Sequence, residues 1–492
     1  MWNRSLLAFT VVILSSIPAA GQMIYEVDTT IDNAFGQCTA APNDCPLRSA
    51  VGAANNDGTD SQIILADEIY QLTIAGSNED NNVTGDLDVT AAVEIRAAAG
   101  ASPVIEQTVE DRVIDVRFGV GDVRIIGPLT ITGGRLSGIT ESGGGIFANQ
   151  NGDLELEDVV LTDNQVASQG GCLAYGGTAT SNLSLHRVTL TDCHSERDGG
   201  GAWLVLSGAQ ATITSSRIEG NTAYRRGGGL NMTGGSGVVI LDTTIRGNSA
   251  GHTTVQDGFG GGVHLVGGNF VLRQSTISDN EAGVPTSING SGGGVYVSGT
   301  TDFLVENSTI SGNRTDGANQ TGAGIFLGSA SSGTFDHASV VANPSQGMDG
   351  VYFLDSGGTS LTIKNSIIDD GCSGNTNSIV SSGFNVERPW DDSPNTTCNL
   401  TNPSDLQVTD LMLKPLAGYG GPTDTHALLP GSPAQLLVTS AQCQNEDQRH
   451  AVRQGLFCDS GAYDDSSIPP GQWIFADGFE SGDSAAWSTA AP

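Results

Sequence analysis

Lysine is almost missing from this chain. Lys364 and Lys414 are the only two in 492 residues, and all bases number 20 against 54 acids, a formal net charge of −34. So acidic a surface repels nucleic acid and anionic membranes, which removes both as partners and leaves neutral glycans and divalent cations compatible. Aromatic residues are few, at 5%. There is no Cys-x-x-Cys, which argues against a zinc ribbon or a redox motif. No Gly-x-Ser-x-Gly and no His-Glu-x-x-His occurs, so two common hydrolase signatures are absent. After the N-terminus no stretch is apolar enough to span a bilayer, and the mature chain is expected to have no transmembrane segment.

What is there begins with an export signal. Arg4 is followed by an apolar run from Leu6 to Ile17 and by Ala19-Ala20-Gly21, small residues suited to cleavage before Gln22. Residues 1–21 are therefore read as a signal peptide, with no Cys after it to carry a lipid anchor. An exported chain with eight cysteines is expected to form disulfides. They fall as sequence neighbours, Cys38/Cys45, Cys172/Cys193, Cys372/Cys398 and Cys443/Cys458. Spacing alone does not fix the connectivity, and Cys172/Cys193 is the least certain pair. The other three are expected to staple the two ends of the chain, Cys38 with Cys45 at the first end.

Glycine, at 68 residues, is about twice its usual share and has no collagen period, which implies many tight turns between short strands. The glycines belong to a repeat. One element reads VVLTDN at 159–164, SRIEGN at 216–221, TTIRGN at 243–248, STISDN at 275–280, STISGN at 308–313 and ASVVAN at 338–343. VTLTDC at 188–193 puts Cys193 in the Asn place. A second element opens on a glycine triplet or its variant, as in GGGIFAN at 143–149, QGGCLAY at 169–175, GGGAWLV at 199–205 and GGGVHLV at 260–266. One such unit cannot bury an apolar face alone, but a stack can. The fold expected is all-β: a right-handed parallel β-helix, a single-stranded solenoid, over residues 61–370. An N-terminal cap at 22–60 precedes it, a disulfide-bearing C-terminal cap at 371–465 follows, and 466–492 forms a linker and tail. The recurring Asn164, Asn221, Asn248, Asn280, Asn313 and Asn343 are read as a ladder of side-chain amides, and the triplets as turns needing positive φ or close approach between coils.

Several segments resemble one family. Cys38-Thr39 with CPLRSAVGAANN at 45–56 resembles the N-terminal motif of CSLREA-type exported β-helix proteins, with Pro46 and Ser49 replacing the family's Ser and Glu. NEDNNVTGDLDVT at 78–90, SGFNV at 382–386, GGPTDTHALLPGSPA at 420–434 and CDSGAYD at 458–464 are similar to later family segments. The internal elements also resemble polymorphic outer-membrane proteins. WIFADGFESGDSAAWS at 473–488 is similar to a C-terminal segment of secreted gammaproteobacterial proteins. The resemblance implies an exported protein, extracellular or on the outer surface of a Gram-negative bacterium. It implies no activity, since fold does not fix function.

No catalytic constellation stands out. Asp163 and Asp192, at equivalent places of consecutive coils, are the best stacked acids, and acids beside Asn or Gly are common turn-formers. Arg225-Arg226 reads as a solvated loop and His264 as a surface strand residue. Glu79, Asp80, Asp86 and Asp88 crowd a ten-residue loop of the kind that supplies oxygen ligands to calcium, the one cofactor for which the sequence offers a candidate set. The function expected is adhesin-like binding of a glycan or cell-surface partner without catalysis. A polysaccharide lyase or glycoside hydrolase of pectin lyase-like fold and a structural envelope component are the alternatives. The oligomeric state is left open.

Overall fold

A computed structural model describes residues 22–466 apart from 59, 78, 118, 151, 252–256, 288, 344–349, 355–357 and 390–396. The expected signal peptide, and nearly all of the expected linker and tail, lie outside the described residues. Alternating runs such as SQIIL, LELE and GVVIL place every second side chain inward, and the chain winds these short strands into a right-handed parallel solenoid of about ten turns. Three faces of each coil belong to the main sheet, and in the central coils a two-residue fourth strand, such as His194–Ser195 paired with Thr222–Ala223, forms a parallel sheet of its own. On the first face Ile114–Val116, Ile146–Gln150, Leu173–Gly177, Ala202–Leu206 and Leu230–Gly234 pair in order, all parallel. On the second, Asn182–His186, Gln210–Thr214 and Gly237–Leu241 pair likewise. The third carries Thr189–Thr191, Arg217–Glu219, Thr244–Arg246, Thr276–Ser278 and Thr309–Ser311. In-register pairing puts like on like, so Leu190, Ile218, Ile245, Ile277 and Ile310 form one buried column.

The corners follow from backbone chemistry. Each Asn of the third face is buried. Asn248 Nδ2 donates to Ile218 O at 2.8 Å and Asn280 Oδ1 at 3.0 Å, and Asn248 Oδ1 accepts the Asn221 N–H at 3.0 Å. The same bonds run on through Asn280 and Asn313 to Asn343. Asn164 stands apart, because Cys193 occupies the rung between it and Asn221. Its Oδ1 accepts the Gly134 N–H, while Cys193 N–H donates to Asn221 Oδ1.

A second ladder runs between the second and third faces, made of hydroxyls. Ser216, Thr243, Ser275 and Ser308 each accept the N–H of the corresponding residue one coil earlier. Each ladder residue follows a left-handed residue. Asp163, Asp192, Gly220, Gly247, Asp279 and Gly312 precede the amide column, and Ser215, Asp242, Gln274 and Asn307 precede the hydroxyl column.

The four cysteine pairs, Cys38–Cys45, Cys172–Cys193, Cys372–Cys398 and Cys443–Cys458, are bridged as sequence neighbours. Cys45 is bridged to Cys38 as expected. Its bridge to Cys38 spans 7 residues and closes a loop inside the cap, so the disulfide does not itself staple the cap to the coils. A link over so short a separation constrains little beyond its own loop. Cys45 holds the cap by other means. Its N–H donates to Asp28 Oδ1 at 2.9 Å, its carbonyl accepts the Asp28 N–H at 3.1 Å, and its side chain is buried in the main core. Asp28 follows the strand Ile24–Val27, which pairs with Ser61–Leu65 of the first coil.

Cys172–Cys193 has a geometric logic. A Cβ at the third glycine of a triplet would lie about as close to the ladder as contact permits, 3.1 Å from Asn248 in the case of Gly229. Cys172 takes the third-glycine place where Cys193 takes the Asn place, so the bridge replaces that contact.

At the N-terminus Leu47–Asp57 is a helix that sets Leu47, Ala50, Val51 and Ala54 on the end of the core. Its buried Arg48 pairs with Asp32 at 2.7 Å. The C-terminal region divides in two. Residues 372–388 continue the coils, with Cys398 and Leu400 packed on the main core. The later part lies along the flank of the stack. His450 meets Asp242 at 2.7 Å, Arg453 donates to Asn307 at 2.8 Å, and Gly461 N–H donates to Asn365 O at 2.8 Å. No helix among the described residues is long and apolar enough to cross a membrane.

Candidate functional site

Inward side chains of the first face are apolar, mostly aliphatic with Tyr175 and Phe353 among them, so its outward ones are free to carry chemistry. In register they run Asp88, Asp115, Phe147, Ala174, Trp203, Asn231, His264, Tyr296, Phe326 and Tyr352. The column is acidic at its N-terminal end and aromatic toward the other. His264, Tyr296, Phe326 and Tyr352 stack successively, with centroids 5.1, 4.6 and 5.3 Å apart. Trp203 lies between Ala174 and Asn231, and no ring among the described residues stacks on its half-buried indole.

A wall stands beside this column. The first glycine of each triplet is left-handed, as at Gly199 with φ 73°, and folds the chain so tightly that a Cβ there would lie 2.8 Å from Trp203 N. The residues just before the triplets, Asp198, Arg226, Phe259, Ser291 and Thr321, are tied coil to coil by N–H groups of those glycines. Phe259 reaches the column, its ring 5.1 Å from Tyr296. Arg226, expected in a solvated loop, belongs to this wall. His264 is a correction to the sequence reading: it is 4% exposed. Burial, and secondarily the charge of Arg226, lowers its pKa to about 3, so it is neutral there. Its Nδ1 and the Asp198 Oδ1 are buried without partners.

At the acidic end a pocket of about 240 Å³ is lined by Asp86, Asp111, Arg112, Asp115, Arg117 and Phe147, among others. Carboxylate oxygens of Asp86, Asp88 and Asp115 lie within 4.8 Å of one another. Arg112 Nη1 donates to Asp115 at 2.7 Å and lies 3.4 Å from Asp86, and Arg117 donates to Asp115 at 3.0 Å. Burial above all, then the Asp111 charge, pushes Asp86 up to about 9, and burial raises Asp88 to about 7.

Two of the four loop acids expected to hold calcium therefore converge and two do not. Glu79 accepts the N–H groups of Asn81, Val83 and Thr84, which shapes the loop. Asp80 is exposed and pairs with Arg117. Asp115 was missed, although its IDV strand repeats the LDV of Asp88 one coil on. Asp163 and Asp192 lie outside the groove. Both are exposed corner residues at φ 53° and 54°, a conformation that Asp tolerates, and Asp192 accepts a bond from the Thr191 hydroxyl.

No curated protein matches the sequence. Among solved structures the chain is similar to the crystal structure of pectate lyase Pel9A, at 12% identity and TM-score 0.43, over 90% of this chain and 96% of that one. No residue role is carried over from that enzyme. The family model of the right-handed β-helix region matches residues 127–287 and 252–388, more than half of the sequence. With its parallel coils and inward aliphatic columns, the chain belongs to the right-handed β-helix family.

Proposed function

We propose that this is an exported protein that holds an extended glycan chain along the groove of the first face without cutting it. The observation that carries the reading is the outward column itself. Successive coils set the half-buried Trp203 and Tyr296 in one register with the buried Asn231 and His264, beside a wall containing Asp198 and Arg226. A polymer with its own repeat can touch several rungs, each contact weak and the sum selective. A half-buried indole that no ring among the described residues covers suits the apolar face of a sugar ring, while the Tyr296 hydroxyl and the Arg226 guanidinium orient its hydroxyl groups. Four disulfides support residence in an oxidising compartment.

The placement of four acids supports the non-catalytic part of this reading. A general acid must come within hydrogen-bond reach of the glycosidic oxygen. Asp88 Oδ1 and Asp115 Oδ1 are sealed from solvent, and Asp163 and Asp192 stand at corners outside the groove. The test is a glycan array followed by affinity electrophoresis on residues 22–492 and on Trp203→Ala. Saturable binding weakened at least tenfold by Trp203→Ala, with intact polymer recovered, is the expected result. Reducing ends or unsaturated uronate released from any bound polymer would replace this reading with a hydrolase or lyase. Absence of binding and of cleavage would leave a structural envelope role.

A further inference from the structure

The geometry points to a divalent-cation site of oxygen ligands, of the calcium class, formed by Asp86, Asp88 and Asp115 where the capping helix meets the first coils. The inference is independent of the glycan reading. Asp88 and Asp115 are paired in register on adjacent strands, so one column delivers two carboxylates to neighbouring rungs. Asp86, two residues before Asp88, brings the third within the same 4.8 Å.

An acidic cluster alone would be unremarkable, but here the polar atoms are not all satisfied. Asp88 Oδ2 is held by the Asn82 N–H at 2.8 Å and Asp115 Oδ2 by the two arginines. Asp88 Oδ1 and Asp115 Oδ1 are buried with no partner. Asn82, which is not part of the acid cluster, also leaves its amide Oδ1 buried and unpartnered, while its Nδ2 donates to Arg48 O. Buried oxygens of two chemical kinds are thus orphaned on residues joined by the Asn82 N–H bond to Asp88, and a buried acceptor left without a donor is costly.

Carboxylates outnumber guanidinium groups here. Asp86, Asp88, Asp111 and Asp115 are buried and Glu79, Asp80 and Glu141 line the adjoining pocket, against Arg112 and Arg117, so the site favours a cation. Hard carboxylate and amide oxygens select calcium or magnesium over soft-ligand metals, and a crowded, irregular oxygen set suits calcium better than the strict octahedron of magnesium. The adjoining pocket gives the ion a path to solvent.

The experiment uses purified residues 22–492, stripped with chelator and titrated with calcium chloride alone. Calorimetry is expected to show one saturable equivalent, with a Tm that rises on calcium addition and falls again with EDTA. Asp88→Asn combined with Asp115→Asn should lose that equivalent, and Asp163→Asn combined with Asp192→Asn should keep it. Because the first pair of substitutions can unfold the N-terminal coils, hydrogen exchange of the wild-type protein is the second measurement. Calcium should slow exchange across residues 82–90 and 112–117. No saturable binding up to about 10 mM, well above the weak extracellular range, would overturn the site. So would binding that leaves exchange in both segments unchanged.

Discussion

Each rung of the amide ladder contributes several bonds with one side chain. Asn248 accepts from Asn221 and donates both to the Ile218 carbonyl and to Asn280, all out of reach of water. Asn248→Ala leaves these partners unpaired and is expected to lower unfolding stability by about 1–3 kcal/mol, read from the denaturant midpoint at constant slope. The residue one place earlier in each coil obeys a different rule, because its backbone is left-handed. Asp163→Gly should therefore change stability by less than roughly 0.5 kcal/mol. Gly247→Val, at φ 64°, should destabilise by more than about 1 kcal/mol although no heavy atom lies within 4 Å of the added Cβ. Equal melting of Gly247→Val and wild type would show that the corner backbone is not under this constraint.

Between elements, paired substitutions matter more than single ones. Cys172 and Cys193 stand where other coils have Gly and Asn, so Cys172→Gly with Cys193→Asn should rebuild a ladder rung between Asn164 and Asn221. Cys193→Ala alone removes the bridge and puts no amide in its place, while the backbone N–H of residue 193 can still donate to Asn221 Oδ1. Loss of a disulfide spanning 21 residues costs roughly 3 kcal/mol, and the double variant is expected to recover most of it, measured by thermal melting beside wild type. A double variant no more stable than Cys193→Ala would refute the exchange.

The C-terminal flank is fastened by His450, whose imidazole faces Asp242 on the stack, Glu446 on its own segment and the Gln274 amide. The hydrogen bond to Asp242, chiefly, raises its pKa to about 8. A raised histidine stabilises fully below its unfolded pKa, about 6.5, and that contribution fades as pH climbs through about 8. Hydrogen exchange across residues 446–453 should therefore quicken between pH 6.5 and 8.5 beyond the intrinsic base dependence. In His450→Gln that excess should vanish.

At the scale of the whole molecule, a stack in which each coil touches only its neighbours should tolerate loss of a coil where nothing else spans the site. Deleting His194–Asn221 joins Cys193 to Thr222 in register and leaves every contact of the flank at Asp242, Gln274, Asn307 and Asn365 in place. Deleting Ser249–Asn280 also joins like to like, but it removes the Gln274 rung and shifts the flank against the coils beyond it. The first variant is expected to melt in one transition near wild type. The second should melt lower, with residues 411–466 open to proteolysis. Equal behaviour of the two would mean that the flank adds nothing to the stack.

The stacked coils, the amide column and the cysteine neighbours could be read from the sequence, because a solenoid repeats its contacts at short range and the repeat is written in SRIEGN, TTIRGN and STISDN themselves. The hydroxyl ladder is written there too, in the leading Ser or Thr of those same segments. That signal is weak, since small residues occupy many turns for other reasons. The LDV and IDV strands likewise carried the alignment of Asp88 with Asp115. Only the tertiary structure decided that Glu79 and Asp80 turn to other partners while Asp115 joins Asp86 and Asp88. It alone showed that Cys45 ties the cap through Asp28 and the core, its bridge to Cys38 staying local. It placed His264 in a dry groove and laid the C-terminal region along the flank. The physical reason is separation in the chain. Ladder contacts link equivalent positions of neighbouring coils, whereas Arg453 meets Asn307 across 146 residues and His450 meets Asp242 across 208, through loops of unequal length that no local pattern encodes.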